Sequence, residues 1–171
     1  IQASLEVQES RDFTTTLSDG DGNELPPIAA SDDRPLLNMV REDTLLEIHN
    51  EGNIDMQMSV TIRLSDSTWG LEATLNPEST NPVAIAVFDG GASIEVSIKA
   101  GSSASILATS IAPPTASMGD RALLTFRTAE GQQVTVIDSS RFVLQPRLEI
   151  SMQAPETLEL LAGEFAEFPL S

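Results

Sequence analysis

The sequence contains no cysteine and no tyrosine, and it has one lysine, Lys99, and one histidine, His49. The absence of cysteine excludes disulfides, thiolate catalysis and cysteine-based zinc or iron–sulfur sites. No apolar run is long enough to cross a bilayer, so we expect no direct membrane insertion. The sequence starts at Ile1 without a visible signal peptide, and we expect that any targeting segment has been removed.

The charge of the chain is strongly one-sided, because 26 acidic residues face 9 basic ones and the formal net charge is −17. Such a field repels nucleic acid and anionic lipid surfaces, so neither is expected as a partner. It also offers cations something to bind. With 171 residues, 40% of them hydrophobic, the chain can form one full domain and part of another.

The clearest periodic stretch runs from Ile54 to Leu64. Every second residue is apolar, and polar residues fill the places between. In a strand this pattern gives one apolar and one polar face, whereas a helix would scatter the apolar residues around its axis. The stretch therefore predicts a central strand with one buried face.

Other stretches repeat this pattern more briefly. Residues 43–64 are predicted to form a β-hairpin that turns at Asn50–Asn53, and a second hairpin is predicted to turn at Asp89–Gly91. Residues 101–120 are small and polar; at most a short helix would fit at 102–110, and we assign no element there. Shorter alternating stretches predict further strands at 3–7, 13–17, 69–75, 83–87, 94–98, 122–126 and 134–136.

Seven to nine short strands separated by turns indicate an all-β fold, an immunoglobulin-like antiparallel β-sandwich. A parallel sheet is not expected, because the sequence shows no helical crossovers. Residues 1–146 form this domain in our interpretation. Residues 18–41 lack any period and contain loop-forming Asp, Gly and Pro, so they are interpreted as a loop insertion.

The last 25 residues resemble the beginning of the chain. Arg147–Ser151 repeats the character of Ser4–Gln8, and Gly163–Phe168 resembles Asp43–Ile48. Residues 147–171 are therefore predicted to be the first strands of a second, similar domain. The alternatives are a C-terminal extension packed on the first domain and a strand exchanged with a neighbouring subunit.

One loop has the composition of a metal site. Asp19, Asp21, Asn23 and Glu24 alternate with glycines, and such oxygen donors can surround a Ca²⁺ ion. The later bidentate glutamate of an EF-hand is missing at its usual spacing, and no helices flank the loop. The alternative is an Asx-rich turn without metal. Calcium is the only cofactor that the sequence suggests.

No catalytic residues are predicted. A Ser-His-Asp arrangement would have to use His49, which lies on the polar phase of its strand and has no nucleophile-elbow motif beside it. In so acidic a chain, two carboxylates can fall at the spacing of a glycosidase site by chance, so such pairs are weak evidence for catalysis. Trp69 could stack on a sugar ring, but a position in the core or at its rim is favoured.

Several motifs follow one another in an order that resembles a known group of domains: Glu47–Asn53 before a long strand, Trp69-Gly70, Phe88–Val96 and Pro114–Asp120. The series is similar to the CARDB-type and NPCBM-associated immunoglobulin-like domains of bacterial and archaeal cell-surface proteins. The match covers about residues 43–138.

This resemblance implies a non-catalytic structural, adhesion or assembly module outside the cell or on its surface, with no inherited active-site residues. Its expected partners are neighbouring domains or subunits of the same protein, with glycans or other surface proteins as further options. Two alternatives remain open: a filament subunit joined by strand exchange, and an accessory, carbohydrate-binding domain of a secreted glycan-active enzyme.

Overall fold

The computed structural model describes residues 8–25, 33–36 and 41–144, and these residues contain strands but no helix. None of this part of the chain could therefore cross a membrane as a helix. The eleven strands are β1 (Phe13–Asp19), β2 (Asp33–Leu36), β3 (Arg41–Asn50), β4 (Met56–Leu64), β5 (Gly70–Leu75), β6 (Val83–Ile85), β7 (Val87–Phe88), β8 (Gly91–Ile98), β9 (Ser103–Ile111), β10 (Arg121–Glu130) and β11 (Gln133–Leu144).

The strands form two sheets that pack face to face. The five-stranded sheet has the order β1-β3-β9-β5-β6, and the six-stranded sheet has the order β2-β11-β10-β4-β8-β7. All pairings are antiparallel except that of β2 with β11, which is parallel. The predicted immunoglobulin-like β-sandwich is confirmed. The one parallel pair lies at the edge of the six-stranded sheet, and β2 lies inside residues 18–41, so the interpretation of that whole segment as a loop is wrong.

Strand β4 has the position that its sequence predicts. It lies in the six-stranded sheet between β10 and β8. Its five inward residues are at most 2% exposed and form the centre of the core: Met56, Met58, Val60, Ile62 and Leu64. The alternating pattern therefore identifies both the strand and its buried face.

The predicted hairpin over residues 43–64 is wrong, because β3 and β4 lie in different sheets. Asn50 is buried where the chain leaves β3, and its side-chain amide donates to the Ile54 carbonyl at 2.9 Å and to the Ile98 carbonyl at 3.0 Å. Its side-chain oxygen accepts from the Gly52 amide at 2.9 Å. These bonds direct the chain across the sandwich instead of back along β3.

The crossover at 50–54 also binds the segment that precedes β1. The Asn53 amide donates to the Ser10 carbonyl at 3.1 Å, and the Ser10 amide donates to the Asn53 side-chain oxygen at 2.7 Å. A Cβ atom on Gly52 would lie 2.4 Å from the Ser10 carbonyl oxygen, so this close approach requires glycine. Gly52 and Asn53 thus connect the crossover with the segment around Ser10, which is distant in the sequence.

The second predicted hairpin is correct only next to its turn. Val87–Phe88 pairs with the start of β8 through a two-residue turn, in which Asp89 and Gly90 both have positive φ. Val83–Ile85 belongs instead to the five-stranded sheet, where it pairs with β5. The chain therefore changes sheets at Ala86.

The described chain enters and leaves the sandwich at opposite ends. Gln8 lies at the first pole, the end that holds the 50–54 crossover, because its carbonyl accepts from the Asn53 side chain at 2.9 Å. Leu144 ends β11 at the second pole, the end that holds the turn at Asp89–Gly90 and the start of β10. Residues 147–171 lie outside the described residues, so their assignment to a second domain stays a prediction.

Candidate functional site

The loop predicted to bind calcium is a tight hairpin turn. The Gly22 amide donates to the Asp19 carbonyl at 3.0 Å, and the Asp19 amide donates to the Asn23 carbonyl at 2.9 Å. Gly22 has a φ of 83°, as the last residue of a three-residue hairpin loop requires. After the turn the chain runs back along β1, and Glu24 pairs there with Ser18. The backbone conformation of the turn therefore explains the spacing of the glycines.

The Asp19 carboxylate is the hydrogen-bond acceptor of this turn. One of its oxygens accepts from the Asn23 amide at 2.8 Å and from the Asp21 amide at 3.0 Å, and the Asn23 side chain donates to both oxygens. The bonds from Asn23 lower the pKa of Asp19. The structure thus brings Asp19 and Asn23 together in the manner of an Asx turn.

Two shallow concavities border this turn. Asp19 and Asp21 line both of them, together with Asp43. Two arginines, Arg34 and Arg41, line the second concavity and add positive charge beside the carboxylates.

Within residues 8–25, 33–36 and 41–144, no three acidic or histidine side chains are placed to hold a metal ion. The proposal of a calcium site at Asp19, Asp21, Asn23 and Glu24 therefore rests on the sequence pattern, and it stays a prediction.

His49 lies on the outer face of the five-stranded sheet, as its polar phase predicts. Its Nδ1 atom lies 3.0 Å from the Ser103 hydroxyl oxygen, directly across from it on β9. Among the described residues no carboxylate contacts the imidazole ring, and the strand amides nearby are used in the β3–β9 ladder. A histidine beside a serine on such an open face lacks the orienting acid and the oxyanion donors of a nucleophilic site.

The two aromatic residues of interest have opposite environments. Trp69 is only 2% exposed and belongs to the core, so it cannot act as a platform for a sugar ring. Phe88 is 78% exposed at the edge of the six-stranded sheet. In the sequence, Phe88 is noticeable only as the first residue of the motif Phe88–Val96. Its place directly before a two-residue turn was the available signal, because turns lie at the surface.

Comparisons with known proteins show a likeness in fold. No family model matches the chain, and no curated protein matches it. Among solved structures, the chain is similar to BcpA, the major pilin subunit of Bacillus cereus, with a TM-score of 0.54 and 11% identity over 81% of this chain. The chain spans 41% of that pilin subunit.

Two weaker likenesses have TM-scores below 0.5. A CARDB domain from Pyrococcus furiosus, in complex with di-metal ions, has a TM-score of 0.42 and 12% identity over 82% of this chain and 100% of its own. A family 123 glycoside hydrolase from Clostridium perfringens has a TM-score of 0.48 and 10% identity over 80% of this chain and 28% of its own. The likeness to the pilin subunit, at 11% identity, supports the sandwich fold alone.

Proposed function

We propose that the protein is a non-catalytic structural, adhesion or assembly module of an extracellular or cell-surface protein. Neighbouring domains or subunits of the same protein are its first partners. The fold shared with the pilin subunit supports this reading. So does the open setting of His49, whose ring forms a hydrogen bond only with Ser103 among the described residues.

The observation that carries the proposal is the position of the two ends of the sandwich. The described chain enters at the first pole beside Asn53 and leaves at the second pole after Leu144. Strand β4 has nine residues, so the poles are about 30 Å apart at roughly 3.3 Å per residue. Units built in this way add length when they follow one another in a chain, which is what a spacer or stalk requires.

A tandem fusion of two full chains tests the proposal. If successive units continue from pole to pole, small-angle X-ray scattering should show a maximum dimension longer than that of the single chain by about 30 Å or more. Side-by-side packing with little gain in length would contradict a spacer role. Protease treatment of intact source cells tests the location, since a surface module should be cleaved without lysis.

A filament subunit is the second candidate, and the edge of β1 favours it. Residues 23–25 fold back along the end of β1, where the Leu25 amide donates to the Leu17 carbonyl at 2.7 Å. Nearer its start, β1 pairs only with β3 among the described residues. An edge of this kind can accept a strand from a neighbouring subunit.

Sedimentation velocity over a wide concentration range distinguishes the candidates. A filament subunit should form larger species as concentration rises, and Thr15→Pro should suppress them because proline removes a backbone donor from the edge. Thr80→Pro in the β5–β6 connection serves as the control, because the Thr80 amide forms no hydrogen bond with another described residue. A monomer at every concentration would exclude the filament reading.

A further inference from the structure

The outer face of the six-stranded sheet carries two rows of side chains that run across the strands. In the first row, each residue lies directly opposite the next on the neighbouring strand: Phe88, Gly91, Arg63 and Thr125. The second row is built in the same way from Ser93, Thr61 and Arg127. Two concavities, of about 460 Å³ and 390 Å³, lie over these rows and share Thr61 and Arg63. We name the two rows and the space above them the arginine groove.

The arginine groove is basic within a strongly acidic chain. Arg63 and Arg127 are exposed, and neither forms an ion pair with another described residue, whereas Arg11, Arg34 and Arg41 each pair with a glutamate. They are diagonal neighbours across β4 and β10, a relation that places Cβ atoms about 7–8 Å apart. Among the described side chains, one carboxylate, that of Asp89, lines the same concavities, and the strand register places Asp138 of β11 opposite Thr125.

A slot lies between an aromatic ring and a guanidinium group in the first row. Phe88 and Arg63 stand two strands apart, which corresponds to about 10 Å between their Cα atoms. Gly91 stands between them, and a Cβ atom there would lie 3.6 Å from the Phe88 carbonyl oxygen and 3.9 Å from Arg63 Cγ. Because glycine has no side chain, the space above it stays open.

The floor of the groove determines how a ligand must be recognised. Strand β4 is paired on both sides, with β10 and β8, whereas β8 pairs with β4 along its length and with β7 only at Gly91 and Ala92. A peptide that binds as an added strand therefore finds no edge at the first row; the side of β8 that is unpaired among the described residues begins at Ser93. Recognition depends on side chains: a ring face, two guanidinium groups and the hydroxyls of Thr61 and Ser93, whose oxygen atoms are 3.5 Å apart.

We propose that the arginine groove binds an acidic polysaccharide whose sugar units carry carboxylates. The Phe88 ring contacts the C–H face of a sugar above Gly91, and Arg63 and Arg127 bind carboxylates through paired N–H donors. Thr61 and Ser93 exchange hydrogen bonds with sugar hydroxyls. This inference rests on the adhesion role proposed above and assigns its ligand class.

Isothermal titration of the full chain with hexagalacturonate tests the proposal, with maltohexaose as the neutral counterpart. Hexagalacturonate should bind and maltohexaose should not, and added NaCl should weaken the binding. Arg63→Gln and Arg127→Gln should each weaken it by about tenfold or more, because each removes a charge-assisted hydrogen-bonded pair. Arg63→Lys should recover only part of the loss, since lysine lacks the planar donor pair.

Two matched variants separate shape from charge. Gly91→Val keeps the charge and fills the slot, and its Cβ would make only ordinary contacts, so it should abolish binding while the protein stays folded by thermal melt. Lys99→Gln removes an exposed positive charge just beyond the end of β8 and outside the groove, and it should leave affinity unchanged.

Equal affinity for both oligosaccharides, or unchanged affinity in Arg63→Gln and Arg127→Gln, would overturn the proposal. Binding of a synthetic peptide of residues 147–171, with none of hexagalacturonate, would also overturn it and assign an acidic protein segment to the groove. Either result leaves the tandem-fusion scattering experiment standing, so failure of the ligand assignment is distinguishable from failure of the module proposal.

Discussion

Strands β4 and β9 occupy equivalent places, each inside its own sheet, yet only β4 is recognisable from its sequence. The inward residues of β4 are methionine, valine, isoleucine and leucine. Those of β9 are Ala104, Ile106, Ala108 and Ser110, which are also buried. Alternation of apolar and polar residues therefore identifies a buried strand when its inward side chains are large and apolar. A buried strand with small inward residues is not recognised in this way.

The two strands differ in the size of their inward side chains. The six-stranded sheet supplies large inward side chains, including those of β4 and Phe126. In the five-stranded sheet, β3 contributes the large residues Leu46 and Ile48, whereas β9 contributes mostly small ones. The Thr44 and Ser110 hydroxyls are buried without a hydrogen-bond partner among the described residues. Facing layers of unequal side chains interdigitate well, so β4 should be sensitive to lost apolarity and β9 to added bulk.

The largest effect is expected when a charge enters β4. Met58→Asp should prevent folding or cost more than about 4 kcal/mol, because it buries a carboxylate without a partner. Ser59→Asp, one residue along on the outer face, should be nearly neutral. Chemical denaturation of both variants measures the difference. Comparable losses would mean that the inward phase of β4 is misassigned.

A smaller effect is expected at the crossover that separates the two sheets. Asn50→Ala should cost about 3 kcal/mol, because it removes the three hydrogen bonds of a buried side chain, each worth about 1 kcal/mol. Asn53→Ala, whose side-chain bonds are exposed, should cost less than about 1 kcal/mol. Urea denaturation gives both values, and a reversed order would contradict the role assigned to Asn50.

The test of β9 is overpacking. Ala108 is completely buried, and Ala108→Leu should cost about 1–3 kcal/mol. Met58→Leu, which nearly conserves volume in β4, should cost less than about 1.5 kcal/mol. If denaturation shows that Ala108→Leu is tolerated better than Met58→Leu, the proposed difference in packing between β4 and β9 is wrong.

The calcium prediction concerns the turn that follows β1, at the edge of the five-stranded sheet. For a site with the millimolar affinity typical of extracellular modules, Ca²⁺ at about 2 mM should raise Tm by roughly 1–2 °C. Asp21→Ala should remove this rise, whereas Glu95→Ala on the other sheet should retain it. A Tm that responds to neither Ca²⁺ nor chelator would leave the hairpin at Asp19 as a turn without metal.

The smallest effect is expected at the exposed pair of Arg41 and Glu72. The hydrogen bond from Arg41 lowers the pKa of Glu72 in the folded protein. The pair therefore stabilises the fold above the ordinary glutamate pKa, and this contribution disappears as the pH falls through the lowered value. Arg41→Gln should raise the pKa of Glu72 toward its ordinary range, as a carbon-detected NMR titration can show. An unchanged Glu72 titration would mean that the pair does not form in solution.

The sequence predicts the sandwich and most of its strands because large residues alternate along β3, β4, β8 and β10. It does not predict the partners. The turn at Asn50–Asn53 has hairpin composition, and only the burial of Asn50 reveals a crossover. The arginine groove is equally hidden, because Phe88, Arg63 and Arg127 are separated along the chain and meet only through strand pairing.

The described part of the chain enters and leaves the sandwich at opposite poles, and this has a mechanical consequence. Tension applied between Gln8 and Leu144 pulls β1 along β3 and β11 along β10, parallel to the strands. The hydrogen bonds of an antiparallel ladder run perpendicular to the strands, so this pull shears all the rungs together and does not open them one by one. Detaching β1 or β11 would require many hydrogen bonds to break almost at once, so this arrangement is suited to bearing load.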